Sequence, residues 1–376
     1  MDKEVSGGKL PSGGVRYLSL ELDLTISSPM SIGSYEPNVT DELWYLRPTS
    51  VKGVWRWWAR ALIAGVLYDR GSLEEKKVVK YVSDVMGLGS TSESSSYKIS
   101  VTVRRRPESS KTVHDLQRYK LLSLARGRPR FVEGGRLSLR VDIMRRKEGN
   151  EAALWSLLLA LTLSGIGKGA RRGLGCVDVI ALRSSGLKIN LIRGQDANSI
   201  AELVKRAYES SRRLVLREAS REPTGIPQLP ALSKNASRIG VIEGMTLSKL
   251  HNFFLRSKRT EVLLGNYRAQ DVLRRRREAW ILGLPREQRR TGYLIREREK
   301  VSRRASPIIL SFHKQFATIT TLLSSDWPQE LIWRGRGGEV IIDINEQRIR
   351  EAFHDAINEF EEYVKALGGK VRWVWP

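Results

Sequence analysis

One cysteine, Cys176, stands among 376 residues, with only four histidines beside it. A single thiol excludes a disulfide framework and any multi-cysteine zinc site. Four scattered histidines are too few ligands to expect a zinc enzyme. Nowhere does the chain reach the ~20 apolar residues that a membrane-spanning helix needs. Its most apolar stretch, 152–166, is short and runs into a Gly/Lys/Arg loop, which predicts a buried helix. The opening MDKEVSGGKLPSGG has no apolar centre of the signal-peptide kind. A cytoplasmic protein without membrane contact is the expectation. Nucleotide fingerprints are missing too: no G-x-x-x-x-G-K-[ST] can be written, and the one glycine-rich loop follows a helix and precedes a strand, the reverse of a dinucleotide site. No metal and no cofactor is expected.

Acidic residues are the other shortage, 41 against 65 Lys and Arg, which leaves a formal charge of +24. Such a surplus on a soluble chain is usually matched to a polyanion, nucleic acid first. Arginine supplies 45 of the 65 cations, and its flat guanidinium pairs two phosphate oxygens and stacks on bases. Hydrophobic residues at 41% suffice for real cores, and the length suits two or three domains.

The first half reads as alternating strands and helices. Residues 16–26 place Leu18, Leu20, Leu22 and Leu24 on one face, a half-buried strand. A Gly/Ser/Pro/Asn loop follows, and a helix with Ser50 as its N-cap runs to Tyr68. Strands are expected at 97–103 and 137–144, a helix at 151–164 and a strand at 176–182. Strand, helix, strand, strand, helix, strand is the split βαβ, ferredoxin-like order, which leaves one sheet face free of the kind that RNA-recognition domains use. The second half repeats the plan less clearly: strand 187–192, helix 197–215, a long loop 220–245, a basic block 250–304, strands 307–312 and 316–323, helix 346–367 and strand 371–375. The expected fold class is therefore α+β, two ferredoxin-like domains in tandem. The first covers 1–185; the second covers 186–376 and carries a basic helical insertion. Residues 256–304 hold 16 basic and 6 acidic residues, and 339–365 hold 3 and 8, so the last helix suits a solvated face or a protein partner.

Three places can carry chemistry. On the helix 50–68, Lys52, Arg56 and Arg60 are spaced by four and share one face; Val51, Val54, Trp55, Trp58 and Leu62 fall on a core-like face, with Trp57 at the boundary. Cations beside rings suit an RNA strand; without a ligand the same pattern is an amphipathic helix with solvated cations. The loop 165–175, GIGKGARRGLG, joins five glycines to Lys168, Arg171 and Arg172. Glycines let backbone N–H groups approach phosphates, and the cations add charge. The segment 289–311 brings Arg303 and Arg304 straight into a strand, at a sheet edge.

Catalytic groups are harder to find. Metal-free RNA cleavage wants a histidine base, and only His114 and His313 lie near basic or aromatic residues; His251 precedes two phenylalanines and His354 sits in the acidic helix. Asp41, Glu42 and Asp326 form no carboxylate cluster for metal-dependent cleavage, and Cys176 has no histidine nearby in sequence. No catalytic residue is assigned, and the chain is expected not to be an enzyme.

The run from Arg47 to Arg60, RPTSVKGVWRWWAR, resembles the first helix of RAMP proteins, and more narrowly the first-subunit family of the type III-B CRISPR effector, the Cmr complex. The glycine loop and the 303–307 segment RRASP resemble further parts of the same family. The resemblance implies two ferredoxin-like domains and a ribonucleoprotein subunit near the 3′ end of the guide RNA. Its partners would be guide RNA, single-stranded target RNA and other Cmr RAMP subunits, with cleavage done elsewhere in the complex. By the same resemblance Lys52, Arg56, Arg60, Lys168, Arg171 and Arg172 face RNA, with Arg303 and Arg304 beside them. Two alternatives stand: a metal-independent RAMP-type endoribonuclease that uses His114 to process CRISPR transcripts, and a basic assembly protein that docks through its acidic last helix.

Overall fold

The computed structural model describes residues 18–33, 42, 45–116, 130–187, 189–190, 196–254, 272–288, 291–295, 303–335 and 337–376. The first half forms β1 (Leu18–Met30), α1 (Pro48–Tyr68), α2 (Glu75–Lys80), β2 (Tyr97–Arg105), the two-residue β3 (Glu108–Ser109), β4 (Val132–Ile143), α3 (Asn150–Leu163) and β5 (Val177–Ser185). The strands lie in the order β2-β4-β1-β5, with antiparallel neighbours, and β3 pairs with β4. Alternation in β1 sends Leu20, Leu22, Leu24 and Ile26 into the core, opposite Val141, Leu139 and Leu137 of β4. Trp55 and Trp58 of α1 are fully buried there. Trp55 Nε1 donates to the Ala153 carbonyl at 2.7 Å, and Trp58 Nε1 to Ser164 Oγ at 2.8 Å.

The other face of this sheet is polar. Glu21 and Asp23 of β1 meet Arg183 of β5 at 3.3 and 3.2 Å, and Arg140 pairs with Asp142 on β4 at 2.9 Å. The Ser138 hydrogen bond, then Arg183 and the nearby Arg104, hold the Glu21 carboxyl below its ordinary range. The face carries no aromatic ring in its outward register positions.

α4 (Ala197–Leu214) then packs on α1 and α3. The second half adds β6 (Ser237–Glu243), α5 (Leu247–Asn252), α6 (Val272–Arg275), β7 (Arg286–Gln288), β8 (Thr291–Ile295), β9 (Ile308–Phe312), β10 (Ala317–Leu322), β11 (Glu330–Gly335), β12 (Gly338–Asp343), α7 (Glu346–Ala366) and β13 (Lys370–Trp375). β13-β6-β10-β9 make a second antiparallel sheet, and β12-β11-β8-β7 a third. The second sheet is covered on both faces. Ile239, Val241, Ile309 and Leu322 join the core of the first half, while Ile242, Ile308, Leu310 and Ile319 pack with Phe353, Ile357 and Phe360 of α7. α3 therefore lies between two sheets, which explains an apolar surface all round: 12 of its 14 residues are buried. Among the described residues no helix is long and apolar enough to cross a membrane.

Several expectations need correction. α1 starts at Pro48, capped by extended Arg47 without a side-chain bond, so Ser50 is not the N-cap; proline at the first position needs no N–H partner there. The long loop at 220–245 contains β6, whose burial on both faces removes the alternation that would mark a strand, and Gly240 interrupts it. Of the strand expected at 187–192, the described Leu187, Ile189 and Asn190 are not in a strand; the rest lies outside the described residues. The basic insertion is not simply helical: its described part supplies α6, a 3-10 turn at Ala279–Leu282 and two strands, β7 and β8. The second sheet leaves no face free, because α3 and α4 cover the side that α7 does not.

Gly65, inside α1, shows the closeness of this packing. A Cβ there would sit 1.8 Å from the Leu232 carbonyl oxygen, whereas at exposed Gly53 it would meet nothing within 4 Å. Alanine favours helices over glycine by ~1 kcal/mol. Gly53→Ala should raise the unfolding free energy by up to that amount, and Gly65→Ala should lower it by about 2 kcal/mol through overpacking. Urea unfolding of the two variants checks the opposite signs.

Candidate nucleic-acid interface

α1 is 21 residues long, has no acidic residue in its first turn and begins with unmet N–H groups, so its N-terminus carries partial positive charge. Lys52 and Arg56 are half-buried there and Arg60 is exposed. Burial, and then the neighbouring Arg56, lower the Lys52 pKa; burial, and then Arg60, lower that of Arg56. Arg56 Nε is buried without a partner. Among the described residues no ion pair joins any of these three cations to a carboxylate. The ridge thus holds repelling charge that an anion would relieve.

The glycine loop is an ordered bracket against this helix. Gly165 N donates to the Ala170 carbonyl at 2.9 Å, Ile166 N to Gly175 at 2.8 Å and Arg172 N to Gly169 at 2.8 Å. Lys168 N reaches Ser31 and Gly175 N reaches Pro29, both at the end of β1; Gly173 N reaches Leu310 of β9. Gly175 must be glycine: its φ is +68°, and a Cβ would lie 2.0 Å from the Ile166 oxygen. Six of the eleven backbone N–H groups are thereby spent inside the protein. A phosphate cradle of loop N–H groups could therefore draw only on the other five, and the loop's fixed backbone also sets where its cationic side chains lie.

Those side chains rest on aromatic rings. The Arg171 guanidinium lies 4.2 Å from the Trp57 ring centre, and that of Arg172 lies 5.2 Å from Phe254. Burial, then Arg304, push the Arg171 pKa down to about 10, still cationic at neutral pH. Lys168 is half-buried, and burial lowers its pKa. The fold thus joins Lys52, Arg56, Arg60, Lys168, Arg171 and Arg172 at one end of the first sheet, where β1 stops and α1 starts. Trp57, at the boundary as its position suggests, links helix to loop. Phe254 under Arg172 is a partner that no local pattern announces, since 82 residues separate them.

The RRASP segment divides. Arg303 is exposed. Arg304 is 7% exposed and points inward: it donates to Asp326 Oδ1 at 2.7 Å, to the Asp326 carbonyl at 3.1 Å, to Ser324 Oγ at 2.8 Å and to its neighbour's carbonyl, with its guanidinium 4.6 Å from the Trp327 ring. The sheet-edge expectation therefore fails for Arg304, whose donors serve the fold.

The histidines separate in the same way. His313 is buried, stacked on Phe316, with Nδ1 2.8 Å from Asp178 Oδ1 and Nε2 2.7 Å from the Thr162 carbonyl. It ties β5 and α3 to the β9–β10 turn. His251 is buried, and its Nδ1 donates to the Arg172 carbonyl at 3.1 Å. His354 is exposed on α7. His114 is exposed on a short turn, Thr112–Asp115, whose Val113 and Leu116 pack with Leu174 of the glycine loop. Burial pushes the Cys176 thiol up to about 11, and its Sγ accepts from Phe312 N at 3.2 Å. Among the described residues no three His, Cys, Asp or Glu side chains are placed to hold a metal ion.

Arg304 is the buried member of its ion pair, Asp326 being 35% exposed, and its removal loses several hydrogen bonds and the Trp327 contact and leaves a charge unpaired. Arg304→Ala should destabilise the fold by about 3 kcal/mol, while Arg303→Ala leaves the melting temperature unchanged; thermal unfolding of both variants checks the contrast.

Comparison with known proteins agrees with this architecture. The family model of the RAMP superfamily matches residues 23–178. No curated protein matches in sequence. Among solved structures the chain is similar to Cmr1 from Pyrococcus furiosus in its apo form, with 19% identity, a TM-score of 0.56 and coverage of 95% of this chain and 98% of that one. It is also similar to a chain of the type III-B Cmr-beta complex bound to cognate target RNA, with 14% identity, a TM-score of 0.56 and coverage of 91% and 100%. A third match is a chain of that complex with target RNA and AMPPnP in the presence of ssDNA, at 15% identity, TM-score 0.57 and coverage of 91% and 99%. Residues 23–178, which hold α1 and the whole glycine loop, are thus similar to the RAMP superfamily, and the full chain shares its fold with Cmr1 and Cmr-beta chains.

Proposed function

We propose that the chain is a non-catalytic RNA-binding subunit of a type III-B CRISPR ribonucleoprotein, acting in the cytoplasm beside other Cmr subunits. It holds guide RNA or captured target RNA near the 3′ end of the guide. The observation that carries this reading is the cationic sheet end: six Lys and Arg side chains from α1 and the glycine loop, two of them pre-stacked on Trp57 and Phe254. Charge and ring together suit a single strand held by phosphates and stacking, without sequence readout. Chains of similar fold from the Cmr-beta complex, solved bound to cognate target RNA, support the assignment.

The two-domain reading belongs to the same proposal. Both main sheets place their fourth strand beside the first, then the third, then the second: β5-β1-β4-β2 and β13-β6-β10-β9. That supports tandem ferredoxin-like units, with 186–376 as the second. β7, β8, β11 and β12 are insertions in the second unit.

One specific observation favours the second reading, a metal-independent endoribonuclease. His114 lies on a turn packed against the glycine loop, where a general base for RNA cleavage would be wanted.

Purified protein should bind single-stranded RNA and leave it intact on a denaturing gel. The salt slope should fall by about 1.4 in Arg171→Ala/Arg172→Ala, at ~0.7 per phosphate contact. An unchanged slope in a folded double variant contradicts the loop assignment. Cleavage products that survive EDTA and vanish in His114→Ala would establish the endoribonuclease instead.

A further inference from the structure

Arg105, Arg106 and Arg136 form a second basic cluster at the same end of the first sheet. Arg105 of β2 stands directly opposite Arg136 of β4 in the strand register, and Arg106 follows where β2 ends. All three are exposed, and among the described residues none is joined to a carboxylate. Like charges directly opposite each other destabilise a sheet. The local backbone holds them together nonetheless. Both strand pairings shift register here, and Gly134 and Gly135 take positive φ; a Cβ at Gly135 would lie 2.7 Å from Pro107 N and 2.8 Å from the Arg105 carbonyl. Bulges at sheet ends re-aim side chains in this manner. The next cross-strand pair, Glu108 and Glu133, is acidic, yet no ion pair joins it to the arginines.

The cluster is continuous with the loop site. The end of β1 receives hydrogen bonds from Lys168 N and Gly175 N of the glycine loop, and the same end pairs with β4, Met30 against Val132 and Ile26 against Gly134. β4 pairs in turn with β2. Two inter-strand spacings, about 10 Å, carry the positive surface from β1 to β2. Val113, Leu116 and Phe131, beyond the bulge, pack on Leu174 of the loop, so no gap separates the two sites.

We infer that Arg105, Arg106 and Arg136 are a second phosphate-binding site, which takes the backbone of an RNA strand as it leaves the glycine loop and crosses the end of the first sheet. This rests on the RNA-binding reading. The ligand class follows from the donors: exposed, uncompensated guanidinium groups with no ring beneath them bind phosphodiester oxygens and do not stack bases.

The test uses the full chain and oligouridylates of increasing length. Arg105→Ala/Arg106→Ala/Arg136→Ala should melt no lower than wild type, because it removes repulsion. It should bind the shortest oligomers normally, and bind long ones at least tenfold more weakly, with a salt slope lower by about 2. Arg171→Ala/Arg172→Ala should weaken binding at every length. Wild-type protein that binds no RNA removes the underlying reading. Wild-type binding that the folded triple variant reproduces in affinity and slope overturns this site alone. Loss of assembly with the other effector subunits, at unchanged RNA affinity, also overturns it and assigns the arginines to an acidic protein partner.

Discussion

The apolar helix α3 sets the architecture. With Asn150–Leu163 buried on nearly every side, it has no face to give to water, and a helix of that kind must lie inside the fold. α1 and the first sheet cover one side. The second sheet covers the other, where Ser311 Oγ and His313 Nε2 meet the Thr162 carbonyl at 2.8 and 2.7 Å. The two halves are thus clasped around one helical layer with a continuous core. The cost is that the second sheet has no face left for a ligand.

Where binding is then possible follows from charge. The open face of the first sheet is neutralised from within: Glu21, Asp23 and Asp142 hold Arg183 and Arg140, and it offers no ring on which a base stacks. α7 behaves similarly, with Glu346 held by Arg350 and Asp355 by Arg276, both at 2.6 Å. At the end of the first sheet no ion pair among the described residues joins Lys52, Arg56 or Arg60 to a carboxylate. Lys52, Arg56 and Arg60 repel one another along α1, and Arg171 is desolvated and repelled by Arg304, with Asp326 offsetting part of that repulsion. Repulsion kept in a folded protein lowers its stability, and a polyanion turns that loss into affinity.

Much of this was legible in the sequence where one face of an element meets water. β1 showed its leucine alternation, α1 its cation ridge and α7 its amphipathic stripe. Legibility failed where both faces are buried: β6 lost its period, and only its position between β13 and β10 makes it a strand. β7 and β8 are three and five residues long within an arginine-rich stretch, too short for a pattern to register. Arg304 looked like a surface cation because its partners, Ser324 and Asp326, are 20 and 22 residues away. The glycine loop was recognisable by composition, but its hydrogen-bond use was not. Glycine content says that backbone can come close; it does not say to what.

The most direct measurement is arginine footprinting with a guanidinium-selective reagent, with and without single-stranded RNA, read residue by residue by mass spectrometry. RNA should protect Arg56, Arg60 and Arg172 at the sheet end and leave Arg140 and Arg183 on the open face as reactive as before. Protection of Arg140 and Arg183, with the sheet end unchanged, would contradict the account and return the RNA to the open face.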